Sequence, residues 1–262
     1  MTALEDASVL LVDDESDFLE LVEFEFERCG CRTHKASSGK EARACFDSGS
    51  TDLVITDIRM NDGDGIELLT HIKKVNLHLP PVMLVSGVED ILPRVAYSLG
   101  AEALFQKPCR LSDLLETARR LLLPPMARWN RLEEPPTGLH ARNRLLDTSV
   151  ASLVNAVDLG RGGLSVNVAG RQPRVGSCLA FRAKCEATGL DEIDGTGTIR
   201  WVETDPAAGQ FVCGIEIDYL TDETRRPFCD WIMNHNIVPF IPPGTMPGAE
   251  THSQPWRMRM YP

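Results

Sequence analysis

The sequence predicts an α/β unit followed by a β unit. The first is a five-stranded, doubly wound parallel sheet. The second is a small antiparallel β-barrel with a C-terminal helix. Three observations carry this. Through residue 123, short apolar runs alternate with stretches of helical period. After Pro124 and Pro125 the pattern becomes strand-like, with turns every 8–15 residues. Charge divides the same way: residues 1–125 hold 22 acids and 13 bases, whereas residues 126–262 hold 16 and 14.

The elements follow in order. Val9–Val12 is a short apolar run that ends on Asp13 and Asp14. Phe18, Leu19, Leu21, Val22 and Phe26 then recur at helical spacing as far as Cys29. An amphipathic stretch opens at Gly39, and Leu53–Ile55 is a second buried strand ending at Asp57. Ile66, Leu68, Leu69 and Ile72 mark a helix, and Pro81–Val85 a strand ending at Ser86 and Gly87. Ile91–Leu99 is helical, with Pro93 in its first turn. Leu104–Phe105 precedes Lys107–Pro108, and Leu111–Leu123 is the last helix of this half. Such alternation implies a parallel sheet covered on both faces, with functional groups gathered at the carboxyl ends of its strands.

Composition narrows the function. A chain of 262 residues with 43% hydrophobic and 25% charged residues is globular. Its net charge of -11 argues against nonspecific coating of nucleic acid or an anionic membrane. No apolar run reaches the roughly 18 residues of a membrane span, so no membrane insertion is expected. Met1–Ser8 holds Glu5 and Asp6 and no basic residue, unlike a secretory signal, so a cytoplasmic protein is expected. The eight cysteines are scattered without a CxxC pair, which argues against a disulfide framework. One CxC, Cys29 and Cys31, falls where a helix ends at Gly30.

The strand ends bring together Asp13, Asp14, Asp57, Ser86 and Lys107. Clustered carboxylates repel unless a cation neutralises them, and hard oxygen ligands favour Mg²⁺, which also binds a phosphate oxygen. An accessible aspartate beside such an ion can accept a phosphoryl group as an acyl phosphate. A serine hydroxyl can donate to that group, and a lysine can pair with it.

On these residues, together with the run TDIRMNDGDG around Asp57, residues 8–123 resemble the receiver domain of two-component response regulators, a flavodoxin-like fold. The resemblance implies phosphorylation of Asp57 by a sensor histidine kinase or other phosphodonor, with Ser86 and Lys107 assisting. It implies Mg²⁺ held by Asp14 and Asp57, by Asp13 through water, and by the backbone carbonyl of Arg59. It also implies a cis Lys107–Pro108 bond. Two positions depart from the family. Asn61 stands where proline is usual, a change a turn tolerates. Leu104 stands where the family has its switch aromatic. Phe105 comes one place later and, by strand alternation, faces with Lys107 instead of replacing that aromatic. Asp57 is not followed two residues later by the second aspartate of haloacid-dehalogenase-like phosphatases, so no enzyme is expected.

In the second half, Gly138–Arg142 and Ser152–Val157 are candidate strands, followed by the Gly-rich turn DLGRGG. Leu164–Val168, Cys178–Lys184, Gly195–Glu203 and Gln210–Asp218 are further strands, and Asp222–Met233 is a closing helix. Trp201 is expected to fill the barrel core. From about Ala127 to Val238 this half resembles a PilZ domain, on Arg131, Asp158 to Gly163, GTIRWVE and GIEID. That resemblance implies a cyclic di-GMP site, with Arg128 and Arg131 on phosphate and guanine and with Asp158, Gly160 and Gly163 in the turn. The arginine motif is displaced by one at Arg128, and the motif's serine is replaced by Gly160.

The boundaries read as a receiver at 1–123, a linker carrying the nucleotide motif at 124–137, a PilZ-like barrel at 138–240 and a flexible tail at 241–262. The expected function is a response regulator whose output binds cyclic di-GMP. The alternative is a phosphorylation-gated module that binds a downstream protein target and no nucleotide. No DNA binding is expected, because residues 126–262 are slightly acidic and show no helix-turn-helix pattern.

Overall fold

The computed structural model describes residues 4–87, 91–129, 158–169, 171–185, 190–205, 210–234 and 241. The chain divides into two compact units, Met1–Pro124 and Pro125–Pro262.

In the first unit, strands β1 (Ser8–Val12), β2 (Arg32–Ala36), β3 (Leu53–Asp57), β4 (Val82–Ser86) and β5 (Ala103–Gln106) form a parallel sheet in the order β2-β1-β3-β4-β5. Helices α1 (Ser16–Arg28), α2 (Gly39–Ser48), α3 (Gly65–Val75), α4 (Pro93–Ser98) and α5 (Leu111–Leu122) alternate with them. Alternate side chains of each strand enter opposite layers. Val9, Leu11, Ile55, Met83 and Val85 pack with Leu19, Val22 and Phe26 of α1 and Leu114 and Ala118 of α5. Leu10, Val12, Val54, Val82 and Leu84 pack with residues of α2, α3 and α4. A sheet filled on both faces explains why the central strands read as unbroken apolar runs.

Local signals set the helix ends. Ser38 caps α2 by accepting from the Glu41 N–H, and Glu41 reaches back to the Ser37 N–H. Asp64 caps α3. Pro93, placed by sequence in the first helical turn, opens α4. At the end of α1, Gly30 takes φ +88° while Cys31 N–H bonds to the Phe26 carbonyl and Gly30 N–H to that of Glu27, which closes the helix as a Schellman turn.

The second unit begins with a short helix, α6 (Pro125–Arg128). Strands β6 (Asp158–Leu159), β7 (Gly163–Ala169), β8 (Cys178–Cys185), β9 (Leu190–Asp205) and β10 (Gln210–Leu220) form an antiparallel sheet in the order β6-β7-β10-β9-β8. Helix α7 (Asp222–Asn234) closes it, with Phe228, Cys229 and Ile232 buried in the apolar core.

The expected antiparallel sheet is present, and among the described residues β6 and β8 are its outer strands. Two sequence expectations change here. Trp129, placed in a linker, is buried in the core against Phe228, with ring centroids 5.1 Å apart. Ile241, assigned to the tail, is also buried. Trp201 is buried as expected. It pairs with Gly214 next to a register shift, and its indole occupies the space a Cβ there would need. The candidate strands Gly138–Arg142 and Ser152–Val157 fall outside the described residues.

Candidate functional site

The first unit's polar residues gather at the carboxyl ends of its strands. Asp13 follows β1, Asp57 ends β3, Ser86 ends β4 and Lys107 follows β5. Asp13, Asp57 and Ser86 are buried. The Lys107 Nζ donates to Asp13 Oδ2 at 2.8 Å, to Glu15 Oε1 at 2.9 Å and to Asp57 Oδ2 at 3.0 Å. It also lies 4.7 Å from the centre of the Phe18 ring. The Lys107–Pro108 peptide is cis.

Backbone donors hold the carboxylates from the other side. Ile58 N–H donates to Asp57 Oδ1 at 2.6 Å, with Arg59 N–H further off at 3.4 Å. Glu15 N–H donates to Asp13 Oδ1 at 2.9 Å. Asp14, less buried, accepts on Oδ2 from the Asn61 backbone N–H at 3.2 Å and side-chain Nδ2 at 2.6 Å. Ser86 Oγ donates to the Gly87 carbonyl at 2.8 Å.

Electrostatics follow from this packing. Burial pushes the Asp13 carboxyl above the usual aspartate range. The Lys107 bond opposes the shift, and the Asp57 charge adds to it. Burial pulls the Lys107 ammonium down, but the bonds to Asp13, Glu15 and Asp57 outweigh it, and its pKa lies well above the ordinary lysine value. The ammonium therefore stays charged and offsets part of the acidic cluster.

A divalent cation fits the residues present. Oxygens of Asp13, Asp14 and Asp57 lie within 4.8 Å of one another. All three are hard ligands, and excess negative charge remains for an ion to neutralise.

Five residues that sequence singled out thus converge in space: Asp13, Asp14, Asp57, Ser86 and Lys107. Arg59 lies beside them on the loop after β3. Sequence reasoning missed Glu15 as a partner of Lys107 and treated Asn61 as a turn residue only. Leu104 and Phe105 do face opposite layers. Leu104 packs with the layer of α2, α3 and α4, and Phe105 with the layer of α1 and α5.

Of the second constellation, part lies among the described residues. Arg131 lies outside the described residues. Arg128 ends α6 and is half-buried. Asp158 pairs with Ser165 across β6 and β7. Gly160 N–H bonds to the Gly163 carbonyl at 2.8 Å. A Cβ on Gly163 would sit 2.3 Å from the Ile215 carbonyl oxygen, so strand packing alone requires glycine there.

Comparison with known proteins agrees with the first unit. Residues 9–119 match the family model described as the response regulator receiver domain. The transcriptional regulatory protein TrcR of Mycobacterium tuberculosis is 33% identical over 128 residues, 48% of each chain. The response regulator protein PilR of Pseudomonas aeruginosa is 34% identical over 143 residues, 53% of this chain and 30% of that protein. The chain thus spans about half or less of the length of these curated relatives. A solved receiver domain protein from Clostridium thermocellum is 32% identical, with 44% of this chain and 94% of that one covered and a TM-score of 0.42. Residues 9–119 are a response regulator receiver domain.

Proposed function

We propose that this protein is a response regulator that accepts a phosphoryl group on Asp57 and signals through its second unit, a PilZ-type output. The observation that carries the reading is the convergence of Lys107 on Asp13 and Asp57. The donor is the phosphohistidine of a sensor histidine kinase or phosphotransfer protein. A carboxylate oxygen of Asp57 attacks phosphorus, the N–P bond breaks, and the departing imidazole takes a proton from solvent. Lys107 pairs with the incoming phosphoryl oxygens, and the Ser86 hydroxyl turns from the Gly87 carbonyl to donate to one of them. Asp13, Asp14, Asp57 and the Arg59 carbonyl would hold Mg²⁺, which supplies positive charge to the phosphoryl oxygens. The chain acts as a phosphoacceptor and not as a turnover enzyme, in the cytoplasm. Among the described residues no helix is long and apolar enough to cross a membrane.

The output reading rests on residue pattern. Gly160 in the serine's place and the packing requirement at Gly163 favour an interaction module that binds a downstream protein. Arg128, Asp158 and the buried Arg161 keep cyclic di-GMP as the second reading. Titration calorimetry of cyclic di-GMP, with and without beryllofluoride, separates the two. Binding at micromolar concentration supports the nucleotide reading, and absence of heat supports the interaction module. The phosphoacceptor reading is tested with Asp57→Ala, which is expected to take no label from a small-molecule phosphodonor. Retained label at wild-type level overturns it.

A further inference from the structure

Asn61 occupies a position where the resemblance expects proline, and the structure gives it two contacts that proline cannot make. Its backbone N–H and its side-chain Nδ2 both donate to Oδ2 of Asp14, at 3.2 and 2.6 Å. Proline lacks an N–H and a side-chain amide. An ionised carboxylate only accepts, so the amide nitrogen and not its oxygen faces Asp14.

The three carboxylates differ in how they are held. Asp13 is fixed by Glu15 N–H and Lys107, and Asp57 by Ile58 N–H and Lys107. Among the described residues, both hydrogen bonds of Asp14 come from Asn61. The least buried of the cluster is thus oriented by one residue, 47 positions along the chain.

We propose that Asn61 is a positioning residue for Asp14: it anchors Oδ2 so that the other carboxylate oxygen is presented to a divalent cation in one orientation. The inference rests on the reading of this cluster as a Mg²⁺ site. Mg²⁺ keeps several waters in its octahedron and takes one oxygen from a carboxylate, so anchoring the second oxygen does not compete with the ion. Hydrogen bonds to ligating carboxylates of this kind commonly set metal affinity. Holding the side chain before the ion arrives also removes an ordering cost from the binding step.

The test is calorimetric titration of Mg²⁺ into the unphosphorylated full chain, wild type and Asn61→Ala, with melting temperatures measured in EDTA. The expected result is binding about tenfold weaker in the variant, at the low end of the effect of such partners, with the metal-free melting temperature unchanged. In the wild type, the Asn61 side-chain amide signals in a ¹H–¹⁵N spectrum should stay in hydrogen-bonded positions when Mg²⁺ is added. Equal affinity in the two proteins, with or without a lower melting temperature, overturns the inference and leaves Asn61 a turn residue. Tighter binding by the variant overturns it in the other direction, since Asn61 would then compete with the ion. Absence of Mg²⁺ binding by the wild type overturns the metal reading itself, and the variant is not needed to see it.

Discussion

The ammonium of Lys73 lies 3.1 Å from the carboxylate of Glu102, and the two side chains are only 4% and 1% exposed. The pair sits at the end of the sheet opposite the acidic cluster. Lys73 also donates to the Pro80 carbonyl at 2.9 Å, and Glu102 accepts from the Val82 N–H at 2.8 Å. It therefore ties α3 to the start of β4 and to the turn before β5. Breaking one partner leaves a buried charge, so Glu102→Ala is expected to cost about 3–5 kcal/mol. Replacing both with apolar residues of similar volume, Lys73→Met with Glu102→Leu, should cost much less. Urea unfolding of the two variants measures the difference. Equal losses would show that the charge pair is not what matters.

A second expectation concerns the core of the β unit. Trp129 is buried against Phe228, and its carbonyl accepts the Leu220 N–H at 2.9 Å. The residue thus fastens the entry of the unit to its last strand and its closing helix. Trp129→Ala should destabilise this unit by about 3–5 kcal/mol, the range for a truncated core aromatic. The receiver should keep its own unfolding transition. A calorimetric scan should show the second transition lowered and the first unmoved.

Much of the receiver was legible because its chemistry lies next to its strongest hydrophobic signals. Asp13, Asp57 and Ser86 each sit at the end of an apolar strand, where a run of buried side chains stops at a polar one. Strand β2 gave no such signal. It is an edge strand, and Arg32, Thr33, His34 and Lys35 leave only Ala36 buried. Glu15 and Asn61 were missed because their roles depend on contacts that no periodicity reports: one on Lys107, 92 residues away, and one on Asp14. In the second half, Trp129 stood among prolines and charges and read as linker, although a lone tryptophan in a polar stretch is itself a sign of anchoring.

The thiols should separate by environment. Cys213 lies in the apolar core of the β unit, and burial pushes its pKa up to about 12. Cys29 is half-buried, with its sulfur 3.3 Å from the Arg119 guanidinium. Iodoacetamide at pH 8 should modify Cys29 well before Cys213, which should react only on unfolding. A pH effect follows with a definite sign. An unfolded cysteine ionises near 8.5. The folded pKa is raised, so the stabilisation from Cys213 is fully present below that value and is lost as pH rises toward 12. The slope is at most about 1.4 kcal/mol per pH unit. Cys213→Ala should flatten the decline in stability over that window. Equal slopes in the two proteins would refute the assignment.

Two glycines distinguish steric contact from backbone strain. A Cβ on Gly65 would lie 2.0 Å from the carbonyl oxygen of Asp57, the residue that carries the proposed phosphoacceptor. Gly65 N–H also bonds to the Ile58 carbonyl at 2.9 Å, so α3 begins pressed against the end of β3. Gly65→Ala must move that backbone, and overpacking of this kind costs about 1–3 kcal/mol. Because the shift falls on Asp57, beryllofluoride binding should weaken by more than the stability loss alone explains. Gly176 is the control. It takes φ +83°, and a methyl group there would meet nothing within 4 Å, so Gly176→Ala carries only the left-handed backbone penalty of about 1–2 kcal/mol. That variant should leave beryllofluoride binding unchanged. If Gly65→Ala behaves like Gly176→Ala, the close approach of α3 to Asp57 does not set the geometry of the site.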